Sequence, residues 1–277
     1  MITIGNIPRK TKAFFNTVKN EFGRPAFNHF CSLVMAITIS HCGTIEKLAK
    51  LLRESTHRTN HGEFLWRSEW NESFVLQQIA LDMLRGLFSK KDRHLFFIID
   101  DTQTLKRAKK MDAVGKLHHH ATGKYGTGHT ILKVSLFYRG ITIPWASLLY
   151  IKQEHAENLD IPFQKLTEMA GRAIRDADLF NRFKVTVLFD AFYLCPQVVN
   201  ACKERKWHYI GVGKSNRWFT VGSVKYKLEK YGRNVLRNSG TWCNIAGLRK
   251  TRKYRLAERI GTLNKLDTVK ILSLIHI

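Results

Sequence analysis

Three aspartates stand where this chain could do chemistry. Asp100 and Asp101 close the apolar run Leu95-Phe96-Phe97-Ile98-Ile99, and Asp190 closes Val185-Thr186-Val187-Leu188-Phe189. Continuous apolar runs of this length read as strands buried on both faces. A carboxylate at the mouth of such a strand is rigidly held yet open to solvent. Two such strands lying side by side would bring like charges together, and a cation between them relieves the repulsion. A hard divalent cation takes oxygen ligands and keeps waters that a phosphate can displace. Two ions about 3.5–4 Å apart activate the attacking oxygen and stabilise the leaving one in phosphoryl transfer. Adjacent strand residues point to opposite faces, so only one of Asp100 and Asp101 can face such a site. The plainer alternative is that Asp190 merely caps a helix starting near Tyr193, because Asp favours turns and helix N-termini.

The surroundings of these acids favour a phosphate-bearing partner. Lys plus Arg number 46 against 22 Asp plus Glu, a net charge of +24 over 277 residues. Most of that excess lies in two tracts, 102–139 with a net of +7 and 201–259 with +13, each following one of the candidate acids. Cations there would release condensed counterions from nucleic acid. Lys214, Asn216 and Arg217, in the basic turn Gly213-Lys214-Ser215-Asn216-Arg217, are candidates for phosphate contact. His118, His119, His120 and His129 cluster in the first tract with no Cys or acid at zinc-ligand spacing, so solvent or backbone contacts are expected of them. Trp207, Trp218 and Trp242 are expected in the core rather than as base-stacking platforms.

The elements that would position these residues follow from periodicity. Residues 1–90 read as helical: Phe27, Phe30, Val34 and Ile37 share a face, Ile45, Leu48, Ala49 and Leu52 another, and a third helix spans about 71–88. His41-Cys42-Gly43 breaks the first pattern, so a helix-turn-helix reader or a plain helical cap would fit. Residues 102–128 read as loop or hairpin, and 130–138 and 141–150 as strands joined by a tight turn at Arg139-Gly140. Then come a helix over 162–178, the strand at 185–189, a short helix over 193–206 and a strand at 207–212. Strands alternating with helices, some in hairpins, give an α/β fold with a mixed sheet. The stretch 217–270 is polar and basic and reads as β-rich. Five cysteines, Cys31, Cys42, Cys195, Cys202 and Cys243, include no CxxC pair and predict free thiols in a reducing cytosol. No segment is apolar for long enough to span a bilayer, and no secretory pattern opens the chain, so a cytoplasmic protein is expected.

At this point the strings themselves resemble a known family. Phe97-Ile98-Ile99-Asp100-Asp101-Thr102-Gln103-Thr104-Leu105 looks like the first catalytic strand of DDE-type insertion-sequence transposases, and Val185-Thr186-Val187-Leu188-Phe189-Asp190-Ala191-Phe192-Tyr193 looks like their second. Trp207 to Arg217 is similar to the strand and basic turn that follow. The resemblance runs over about 30–260 and is closest to bacterial members with a β-rich insertion before the third acid. It implies an RNase H-like catalytic core over 91–216, a helical region over 1–90 that could bind DNA, and an insertion beginning at 217. It implies two Mg²⁺ or Mn²⁺ ions held by Asp101, which precedes Thr102 as the family's acid does, and by Asp190, with Asp100 as the alternative to Asp101. Double-stranded DNA is then the substrate, a homodimer on DNA the working form, and the nucleoid its place. The family's third acid, a Glu on a helix beyond the insertion, has no clear counterpart. Glu258 resembles its setting only superficially, and the chain reads as C-terminally truncated and inactive. Two other readings stand beside the transposase: a decayed form that only binds nucleic acid, and an RNase H-like nuclease unrelated to transposition.

Overall fold

The computed structural model describes residues 7–41, 43–52, 57–106, 111–119, 122–243 and 254–276. The chain divides into two compact units, one of residues 1–93 with 138–147, the other of 94–137 with 148–277.

The first unit is built from helices: α1 (Arg9–Phe15), a 3-10 turn (Asn16–Glu21), α2 (Arg24–Ser40), α3 (Ile45–Leu51), α4 (Arg58–Arg67) and α5 (Glu72–Leu87). The break expected after Ser40 is real. His41 takes the left-handed conformation, φ 51°, and its N–H returns to the Ile37 carbonyl at 2.8 Å, closing α2. Asn71 caps α5 by accepting the Phe74 N–H at 2.8 Å. Phenylalanines dominate the core: Phe15, Phe22, Phe27, Phe30 and Phe64 are buried together, with Phe22 stacked on Phe30 at 4.8 Å. Each such side chain contributes roughly 1.5–3 kcal/mol by leaving water. Within this core His29 and His61 face each other, Nδ1 to Nδ1 at 2.9 Å, and His61 is only 2% exposed.

The second unit carries the mixed sheet that the sequence predicts. Its strands are β1 (His94–Leu105), β2 (Gly115–His119), β3 (Lys124–Tyr138), β5 (Lys184–Phe189) and β6 (His208–Gly211), in the order β2-β3-β1-β5-β6, while β4 (Ile141–Tyr150) falls mostly within the first unit. β1 is antiparallel to β3 and parallel to β5, which is parallel to β6. Parallel neighbours need a crossover, and the helix α8 (Pro196–Glu204) supplies it between β5 and β6. α6 is Gln153–Asn158 and α7 is Leu166–Arg175. α7 packs closely on α8 because Gly171 has no side chain: a Cβ there would lie 3.0 Å from the Gln197 carbonyl. The turn between β3 and β4 has positive φ at both Arg139 (49°) and Gly140 (81°), the geometry of a tight hairpin.

Three expectations change. β1 is not buried on both faces: Leu95, Phe97 and Ile99 are buried while Phe96 and Ile98 are half-exposed. Nor does it stop at the acids. Ladder pairing with β3 continues from Asp100↔Lys133 to Leu105↔Gly128, whereas the parallel partner β5 ends opposite Ile99. The helix expected over 162–178 is the shorter α7, and the stretch before it contains α6, with Glu154 and Glu157 on it.

Beyond β6 the chain forms a second sheet, ordered β11-β10-β7-β8 with β9 beside β10, from β7 (Trp218–Val221), β8 (Val224–Lys227), β9 (Thr241–Cys243), β10 (Tyr254–Leu263) and β11 (Thr268–His276). It also holds α9 (Leu228–Ser239), a helix with Val235 and Leu236 buried beside Ala257, which the basic composition concealed. Cys31, Cys195, Cys202 and Cys243 are free thiols, and Cys42 lies outside the described residues. No helix among the described residues is long and apolar enough to cross a membrane.

Candidate active site

β1, β5 and β6 run in one direction, and an open hollow of about 380 Å³ lies where β5 and β6 end beside the middle of β1. In open α/β sheets this edge is where ligands bind. The register aligns Ile98, Leu188 and Ile210 in one row across the three strands, so they share a face and form the floor. Ile210 and Val212 are both 62% exposed, leaving that face open. Asp100 and Asp190 stand at the rim beside Ile99, Phe189, Gly211 and Val212.

Asp101 is placed differently. It follows the alternation of Leu95, Phe97 and Ile99 towards the buried side of the sheet, and it does not line the hollow. Its Oδ1 accepts a hydrogen bond from the Tyr193 hydroxyl at 2.9 Å. Asp100 Oδ1 accepts the Asp101 N–H at 2.9 Å. Asp190 Oδ1 accepts the N–H groups of Phe192 at 2.9 Å and Tyr193 at 3.4 Å, which fixes the turn after β5. Asp190 therefore does act as a cap, but of this turn. The helix α8 begins later, with Cys195 in its N-cap position.

Tyr193 is fully buried. Burial first, then the charge of Asp101 and the bond to it, then the charges of Asp190 and Asp100, push its hydroxyl far above the ordinary tyrosine range. It stays protonated and can only donate to Asp101. Three carboxylates thus act on one phenol. In the sequence Tyr193 marks the start of a predicted helix and closes the string that resembles the second catalytic strand. Its place three residues after Asp190 is the signal that was there to be read.

The donor set suits a hard divalent cation. Each of the three aspartates has Oδ1 tied by a short hydrogen bond, which leaves Oδ2 to act as a ligand. Carboxylate oxygens from two or three side chains fit an ion that retains most of its waters. Among the described residues no group of three or more His, Cys, Asp or Glu is placed to hold a metal ion between them.

The other candidates lie outside this rim. Lys214 and Asn216 are exposed on the turn after β6. Arg217 turns inward: its Nη2 donates to the Leu194 carbonyl and its Nη1 is buried without a protein partner, so the guanidinium anchors the loop behind Tyr193 and Leu194. Trp207 is half-buried, packed against Phe97 at 5.5 Å with Arg205 over its ring. Trp218 and Trp242 are instead exposed by 37% and 51%, with Lys225 and Lys227 over the first ring and Arg255 over the second. Cation–π contact holds these rings at the surface, where the apolar bulk alone would argue for burial. His129 bonds the Asp112 carbonyl and His119 the Thr122 hydroxyl, both at 2.9 Å, while His118 packs on Tyr125 and His120 lies outside the described residues. Glu258 sits on β10, paired with Lys270 at 2.7 Å.

No curated protein matches the chain at a significant level. A family model described as DDE superfamily endonuclease matches residues 20–261.

Proposed function

The chain belongs to the DDE superfamily of endonucleases, a family that acts on DNA and generally uses divalent metals, and we propose that it is an insertion-sequence transposase that hydrolyses phosphodiesters at element ends and joins the freed strand to a target. One observation carries the reading. Carboxylates of β1 and of the residue after β5 stand just beyond the point where the parallel pairing of the two strands ends, each with one oxygen fixed and the other free.

In this reading Asp190 and one member of the Asp100–Asp101 pair hold two Mg²⁺ or Mn²⁺ ions. When bound, the ions would polarise the scissile phosphate and lower the pKa of the attacking water or hydroxyl. The chain's own contribution is to hold the carboxylates still and to keep the site open to a broad ligand. On the turn after β6 the exposed Lys214 neutralises a backbone phosphate and the exposed Asn216 donates a hydrogen bond to one as the DNA lies along the sheet edge. A homodimer that pairs two element ends belongs to the same proposal, as does a DNA-reading role for the helical unit over 1–90. So does the division of the remainder into a catalytic core over 91–216 and an insertion from 217.

The test is incubation of labelled duplex carrying element ends, together with Mg²⁺ or Mn²⁺, with a version of the protein that also carries the family's third acid, followed by product sizing. Nicked ends and joined products that need metal are expected. Cleavage without joining would point to an RNase H-like nuclease, and binding without cleavage to a protein that only occupies DNA.

A further inference from the structure

Tyr193 touches both sides of the acidic cluster, and no other described residue does so. Its hydroxyl donates to Asp101 Oδ1 at 2.9 Å, across 92 residues of sequence, while its backbone N–H lies 3.4 Å from Asp190 Oδ1. The residue is fixed at both ends. Its ring is fully buried and meets Phe192 edge-on at 5.1 Å, and the carbonyl of the next residue, Leu194, receives the Arg217 guanidinium. A phenol spans a fixed length, so the distance between the two carboxylates is set by one rigid ring rather than by two flexible side chains.

We infer that Tyr193 is a positioning residue that ties Asp101 to Asp190 and so sets how their carboxylates stand relative to each other. The inference rests on the proposed metal-dependent reading of the same site. Asp100, at the rim of the hollow, accepts the neighbouring Asp101 N–H, a contact that holds it to its own strand and not to Asp190. Groups that orient ligating carboxylates typically change metal affinity by about 10–100-fold when removed.

The experiment measures Mn²⁺ affinity by water-proton relaxation on the 277-residue chain, alongside its thermal unfolding without metal. Tyr193→Phe keeps the ring and removes only the hydroxyl. It is expected to weaken Mn²⁺ binding about tenfold while moving the metal-free melting point by no more than a few degrees. The effect should vanish when Asp101→Asn is already present and persist when Asp100→Asn is present instead. A Tyr193→Phe variant that binds Mn²⁺ like the parent, while Asp190→Asn abolishes binding, overturns the positioning role and leaves the site's reading intact. A Tyr193→Phe effect that vanishes with Asp100→Asn and survives Asp101→Asn overturns the claim that Tyr193 acts through Asp101. Unchanged binding in Asp190→Asn overturns the metal reading itself.

Discussion

Replacing Asp190 separates its two roles, because the structure gives it one oxygen for each. Oδ1 accepts the Phe192 and Tyr193 N–H groups, and Oδ2 is free. Asn keeps an oxygen that can accept both N–H bonds and removes the charge, whereas Ala removes both. Asn and Asp cap about equally well and loss of a cap to Ala costs typically about 1 kcal/mol, so Asp190→Asn should stay within about 0.5 kcal/mol of the parent and Asp190→Ala should lose about 1. The charge matters far more for the proposed ions. A unit charge about 4 Å from a cation at an effective dielectric of about 20 contributes about 4 kcal/mol, or roughly three powers of ten in binding or rate. Both variants should therefore lose Mn²⁺ affinity and metal-dependent cleavage by about a thousandfold, although only one is destabilised. Urea denaturation measures the first quantity, and relaxation titration with a cleavage time course measures the second. Full metal affinity and cleavage in Asp190→Asn, with the damage confined to the stability of Asp190→Ala, would reduce Asp190 to a turn cap.

Three further outcomes follow from the geometry. A Cβ on Gly211 would lie 2.3 Å from Cε2 of the buried Phe189 and 3.2 Å from Leu194 Cδ1, so Gly211→Ala should cost about 1–3 kcal/mol in denaturant melts and disturb the turn that carries Asp190. Burial holds His29 and His61 below the ordinary histidine value of 6.5, with the charge of His29 adding to the effect on His61. The folded state therefore binds fewer protons than the unfolded one. Stability is complete above about pH 6.5 and declines as the pH falls through the lowered folded values, which melts of the parent and of a His29→Gln, His61→Gln pair between pH 5 and 8 would reveal. Lys214→Ala should weaken DNA binding alike for all sequences and reduce the salt slope by about one, while Arg217→Ala, which removes the anchor on the Leu194 carbonyl, should cost about 1 kcal/mol of stability. Fluorescence anisotropy at several salt concentrations and a denaturant melt distinguish the two.

The sheet strands were legible because their cores alternate or run apolar over short lengths: 95–99 and 185–189 both announce β1 and β5, and Arg139-Gly140 announces its hairpin. What local pattern could not show was how far pairing extends. β1 continues past its acids only because β3 reaches alongside it to Gly128, a partner chosen by tertiary structure. α9 was hidden because Tyr231, Val235 and Leu236 are few apolar marks among Lys, Arg and Asn, and one buried side of a basic helix is enough to hold it. Of the site, the acids were visible as residue types at strand ends. Their division between the two faces of β1, and the phenol that reaches Asp101 from far along the chain, are matters of register and packing.

β8 ends the second sheet among the described residues, and it is short. An outermost strand offers its unused peptide groups to any other chain that happens by, which is how fibrils and swapped dimers begin. Lys225 and Lys227 project from the same side of β8, both held over Trp218. An incoming strand would have to bring its own side chains against two ammonium groups that are already committed to an aromatic ring. So strongly cationic a border discourages self-association, and in a chain carrying this much positive charge it does so at little cost to solubility.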